Sequence, residues 1–173
     1  LMTIWACEAG KDVYVEKPCS HNVHEGRIAV EMARKHKRVV QHGTQNRSSQ
    51  QWEDYRALAK TGKLGKLLVS RGLCYKDGGT GGSTRGNIGF KEAKAPPAEL
   101  DFNIWLGPAP EQPYHENIVH YRWHWFWDFG NGDIGNQGVH EMDKARWLIP
   151  GAEWPRSVMS IGGRFTGTKD QGQ

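Results

Sequence analysis

Twice within the first 43 residues a helical pattern gives way to a short β-branched run, and that alternation constrains the fold more than any other feature. Met2 to Ala9 reads as an amphipathic helix, with Gly10 suited to the C′ position that follows it. Asp12-Val13-Tyr14-Val15 is a strand pattern, closed by Glu16-Lys17-Pro18 because proline blocks simple continuation. Ser20 or Asn22 then caps a second helix to about Lys37, and Arg38 to Gly43 forms a second strand. Helix, strand, helix, strand is the rhythm of parallel-sheet α/β units.

Past Thr44 the texture changes, and the domain boundary is drawn there: 1–44 and 45–173. Ser48-x-x-Gln51 resembles a capping box that opens a helix carrying Trp52, Tyr55, Leu58 and Ala59, ended by Gly62. Leu67 to Tyr75 alternates as a strand would, with Arg71 interrupting. A glycine-rich loop from Gly78 to Gly89 and the Pro96-Pro97 stretch follow. A fourth helix is expected from Asn136 to Ile149, stopped by Pro150-Gly151, and a last strand from Ser157 to Phe165.

Composition removes several function classes. Mean hydropathy is -0.72 and no apolar run reaches membrane length, so neither a transmembrane helix nor a membrane partner is expected. The net charge of +4 is spread along the chain. Its densest cluster, Arg34-Lys35-His36-Lys37-Arg38, ends a helix, where cations complement the macrodipole, so no nucleic-acid partner is expected. Cys7, Cys19 and Cys74 have neither zinc nor disulfide spacing and read as reduced thiols. The start at Leu1 resembles the middle of a helix, so further sequence is expected upstream. A cytoplasmic location is the default, with export of a longer parent left open.

Three constellations can carry chemistry. Glu16-Lys17-Pro18 sits at the carboxyl end of a strand, where open α/β sheets bind ligands. A lysine there can stabilise an oxyanion as a proton leaves, or it is a surface lysine paired with Glu16. Asn136, His140 and Asp143 share one helix face. His140 can exchange protons near neutral pH while Asn136 orients a hydroxyl, or Asp143 simply holds a core-facing histidine. Trp123, Trp125 and Trp127 alternate within Tyr121 to Asp128, so in a strand they would share a face that stacks on sugar rings or packs a core or subunit interface. For Trp127, packing is the preferred reading. His115, His120, His124, His140, Asp128 and Asp133 supply possible ligands but no HxxxH or HExxH pair on a clear helix, so no metal site is expected.

Ala9 to Pro18, Gly43-Thr44-Gln45-Asn46-Arg47, Lys63-Leu64-Gly65-Lys66, Trp105 to Pro110 and Gly132 to Asp143 together resemble the Gfo/Idh/MocA oxidoreductases. The resemblance implies an α/β fold: the C-terminal remnant of a Rossmann parallel sheet, then an α/β domain with a large open, mostly antiparallel sheet. It implies NAD or NADP as cofactor, with the pyrophosphate-binding fingerprint and the ribose-binding acid ahead of Leu1. Glu16, Lys17, Pro18 and Gln45 are then expected at the cofactor, and Lys17, His140 and Asn136 at the reaction. Arg47, Tyr121, Arg122, Trp123 and Asp143 are expected at the substrate. Many relatives carry aspartate where this chain has Asn136, which cannot take a proton, leaving Lys17 and His140 as the main pair.

The implied activity is hydride transfer to or from a carbinol carbon of a sugar or glycoside, in a homo-oligomer joined through the open sheet. Two alternatives accompany it: nucleotide-assisted glycoside hydrolysis, and a non-catalytic sugar-binding or interaction module.

Overall fold

Every backbone N–H must find an acceptor, and in the first half of the chain helix ends and strand ends meet that demand in one repeated way. The computed structural model describes residues 1–74, 88–163 and 171–172. Helix α1 (Met2–Glu8) closes with Gly10 N–H donating to the Cys7 carbonyl at 3.0 Å and Lys11 N–H to Ala6 at 2.9 Å. This is a Schellman turn with Gly10 at φ 73°. Helix α2 (Val23–Lys35) closes with the same pair of bonds, Lys37 to Arg34 and Arg38 to Ala33. Its C′ residue is Lys37 at φ 53°, the one described non-glycine residue with positive φ. Arg38 fastens both ends, donating to the Gly10 and His36 carbonyls at 2.9 Å.

Between these helices lies strand β1 (Val13–Val15), paired in parallel with β2 (Val40–His42) through Val13–Val40, Tyr14–Gln41 and Val15–His42. The α2 crossover that parallel pairing requires begins at Asn22, whose side chain accepts from Glu25 N–H at 2.9 Å. Asn22, not Ser20, is therefore the cap. The first 43 residues form the α/β unit that their pattern implies.

A 3-10 turn (Gln45–Ser48) leads into α3 (Gln50–Lys60), which ends ahead of Gly62 at φ 73°. The helix-capping position falls to Ser49, which makes no side-chain cap bond, so the expected Ser48-x-x-Gln51 box is not formed. The 3-10 turn occupies Ser48 instead. Helix α4 (Phe102–Leu106) is capped by Asp101, whose carboxylate accepts from Ile104 N–H. A π turn (Ile134–Gly138) runs into α5 (Val139–Trp147).

The described sheet is β1 and β2 alone. Residues 67–74 and 157–163 have no ladder partner among the described residues, so the expected open antiparallel sheet is not formed there. Alternation supplies a face but not the hydrogen-bonding neighbour that makes a strand, and Leu68, Val69 and Leu73 are exposed. Tyr75, residues 75–87 of the glycine-rich region and Phe165 lie outside the described residues.

By packing, the chain forms two compact units: residues 1–73 with 136–156, and residues 74–135 with 157–173. The first contains the parallel pair and α1, α2, α3 and α5. The second contains α4 and the aromatic segment.

Candidate functional site

In the first unit, β1 delivers Glu16-Lys17-Pro18 at its carboxyl end, and the Lys17–Pro18 peptide is cis. Lys17 Nζ donates to the Asn136 main-chain oxygen at 2.6 Å and to its Oδ1 at 2.9 Å. The π turn matters here because its wider ladder alters which carbonyls remain free to accept from outside the helix. Asn136 is 5 % exposed, so the ammonium is bonded to a buried amide. Lys17 therefore bonds Asn136; Glu16 has no part in that bond.

His140 lies one turn further along the same helix and is 7 % exposed. Its Nδ1 is buried with no hydrogen-bond partner among the described residues. Burial pushes the imidazole pKa below its ordinary value, and the Lys17 charge adds to that shift. Lys144 acts in the same direction, whereas Glu141 and Asp143 oppose it. The result is a neutral imidazole beside a cation. Such a ring is a proton acceptor at neutral pH. Asp143 does not hold it: the Asp143 carboxylate is bound elsewhere.

That carboxylate meets Arg47 in a two-pronged ion pair, Nε to Oδ2 at 2.9 Å and Nη2 to Oδ1 at 2.6 Å. The pair holds the Arg47 pKa above its ordinary value. The guanidinium also lies over the Trp147 ring, 5.1 Å from its centre. Arg47 and Asp143, both expected at the substrate, are thus each other's principal partners. Beside them is a polar cavity of about 560 Å3 whose lining includes Tyr14, His42, Thr44, Gln45 and Arg146. Gln45 is exposed at the start of the 3-10 turn.

Residues 83–159 match a family model described as the oxidoreductase family, C-terminal alpha/beta domain. The match supports membership of the Gfo/Idh/MocA oxidoreductases. It spans Asn136, His140 and Asp143, together with Tyr121, Arg122 and Trp123; Glu16, Lys17, Pro18, Gln45 and Arg47 precede it. No match was found among curated proteins.

The Gfo/Idh/MocA match also takes in the aromatic segment, which belongs to the second unit. Arg122 to Trp125 form a 3-10 turn and not a strand. Three residues per turn place Trp123 and Trp125 on different sides, so the expected common tryptophan face is absent. Trp123 stacks on His124 with ring centres 3.8 Å apart, and Trp125 is buried at 4 % exposure. Trp127 is 74 % exposed, so of the core or subunit packing expected for it, the core of this chain is not where it lies. Arg122 Nη1 donates to the fully buried Asn117 at 2.8 Å. Tyr121 faces the His124 and Trp125 rings.

Gly130, Gly132 and Gly135 carry the spacing GxGxxG, a coincidence that the sequence pattern alone does not resolve. A dinucleotide loop needs a strand immediately before it, and here the preceding element is the 3-10 turn. Gly130 serves close packing: a Cβ there would collide with the His124 backbone. In the described residues no group of three or more His, Cys, Asp or Glu side chains is placed to hold a metal ion. No described helix is long and apolar enough to cross a membrane.

Proposed function

We propose that the whole protein is an NAD(P)-dependent oxidoreductase that transfers hydride between the nicotinamide and a carbinol carbon of a sugar or glycoside. The observation that carries this reading is the Lys17–Asn136–His140 arrangement: a fixed cation, a buried amide and a neutral imidazole whose Nδ1 has no partner among the described residues. Glu16, Lys17, Pro18 and Gln45 are the residues of this chain assigned to the cofactor. The donor set fits such a group, because a lysine beyond a parallel strand can face both a nicotinamide amide and a reacting hydroxyl. When bound, the nicotinamide supplies the hydride acceptor or donor.

The chain's own residues handle the proton. In oxidation, the Lys17 ammonium polarises the hydroxyl and lowers the cost of its developing negative charge. His140 takes the proton in its neutral form, which burial and Lys17 favour together. Asn136 holds the ammonium and cannot itself accept a proton. Tyr121, Arg122 and Trp123 are assigned to the sugar, with Trp123 as the stacking ring. A homo-oligomer is part of the same reading.

The test is reduction of NAD and NADP at 340 nm by the whole protein over a panel of sugars and glycosides. Turnover is expected with at least one of them, and His140→Ala should lower it by about 10² to 10⁴. Near-normal turnover in that variant would remove His140 from the mechanism. Binding of sugars without nucleotide reduction would favour the interaction module instead.

A further inference from the structure

The proposed mechanism uses Lys17 and His140 but leaves the best-formed ion pair of the first unit, Arg47–Asp143, without a task. Its location is informative. Lys17 follows β1 and Arg47 follows β2, the two strands that pair in parallel. Lys17 grips the helix at Asn136, and Arg47 grips it at Asp143. Those two points are seven residues apart in sequence, a rise of about 10 Å at ordinary helical pitch. His140 lies between them.

A helix tied at one point can still rotate about its axis or slide by a fraction of a turn. A second tie, two turns away and on an adjacent strand, removes both freedoms. The guanidinium suits this role because its two parallel bonds to a carboxylate fix direction as well as distance. It also covers the Trp147 ring, one turn beyond Asp143, so Arg47 holds the helix at two successive turns. With both prongs directed at Asp143, Arg47 is poorly placed to lend them to a substrate.

We infer that Arg47 and Asp143 are positioning residues that set the height and rotation of α5, and thereby the placement of the His140 imidazole, without touching the substrate. This rests on the proposed role of His140. The charged groups felt by His140 are Lys17 from the end of β1 and Glu141, Asp143 and Lys144 from its own helix. Arg47, in the turn after β2, is not among these groups; it bonds Asp143 and covers Trp147 on the same helix.

Arg47→Lys in the whole protein isolates the geometry, because both charges of the pair remain and only the two-pronged grip is lost. Two readouts are needed: steady-state kinetics, and the His140 titration by NMR of histidine-labelled protein, assigned with His140→Asn. Misplacement of the imidazole should lower kcat about 10- to 100-fold. KM should stay within about threefold of the original, since no substrate contact is removed. The loosened helix should admit water and move the His140 pKa up toward its ordinary value. A rise in KM with unchanged kcat and an unchanged His140 titration would overturn the inference and make Arg47 a substrate contact. A lowered melting temperature with both readouts unchanged would overturn it too. Should the whole protein reduce no nicotinamide nucleotide, the proposed function fails, and the His140 titration alone still decides whether Arg47 positions the ring.

Discussion

Lys17 and Asn136 meet across 119 residues of chain, whereas Tyr121, Trp123, His124 and Trp125 pack on one another within a single 3-10 turn. The first arrangement is polar and depends on a parallel strand pair and a distant helix reaching one register. The second is aromatic and largely local, closed by Gly130 against the His124 backbone. Polar bonds made over long separations fail together when one partner is lost, because each remaining group is buried without water. Local ring packing fails in proportion to the area each ring buries. The two regions should therefore respond to substitution in different ways.

The largest contrast is expected at Lys17. Lys17→Met keeps most of the side chain's length and removes its donors, so the main-chain and side-chain oxygens of Asn136 lose a shared partner. Such a loss costs about 1–3 kcal/mol in stability. Turnover of the whole protein should fall more, by about 10² to 10⁴, if the ammonium also polarises the substrate. Urea unfolding and initial rates measure the two effects separately. Equal small changes in both would mean that Lys17 is only a surface cation resting on the helix.

Within the aromatic segment the expected contrast is between two tryptophans separated by one residue. Trp125 is buried and Trp127 is 74 % exposed. Trp125→Ala should cost about 3–5 kcal/mol, because the vacated space cannot fully collapse. Trp127→Ala should stay within about 0.5 kcal/mol, as exposed substitutions do. Urea midpoints of the two variants provide the comparison. A loss at Trp127 matching that at Trp125 would show that its ring is covered in the assembled protein.

What could be read in advance divides along the same line. Helices α1, α2, α3 and α5 and strands β1 and β2 were legible because periodicity and end signals such as Asn22 and Gly10 are local. Lys17 and His140 were singled out from strand-end and helix-face placement, without any sign of which atom each would meet. The Arg47–Asp143 bond was not legible, because nothing in the sequence shows that the turn after β2 faces α5. The tryptophan alternation pointed to a strand. A period of two over so short a run does not distinguish a strand from a 3-10 turn when no ladder partner is at hand. Helix α4 went unread although Asp101 marks its start, since its five residues are too few to show a period.

The finest contrast lies in two histidines whose pKa values are both lowered, His140 in the first unit and His115 in the second. For His115 the cause is burial; its Nδ1 has no partner among the described residues and its ring lies 5.3 Å from that of Phe126. For His140 burial comes first, and the Lys17 charge adds to it. Each ring is neutral in the folded protein between its lowered pKa and the ordinary 6.5, where the unfolded chain is already protonated. The unfolded state then binds more protons, so stability falls as pH drops below about 6.5 and the loss is complete once pH passes the folded pKa. Lys17→Met separates the two causes. It should move the His140 pKa back toward 6.5 and leave His115 unchanged. Raising the salt concentration should act in the same direction on His140 alone, because ions screen a charge and not a desolvated ring. NMR titration of the labelled histidines reads both sites in one experiment. Equal movement of the two, or none at His140, would mean that Lys17 does not act on the imidazole, and the charge-assisted half of the proposed proton transfer would fall with it.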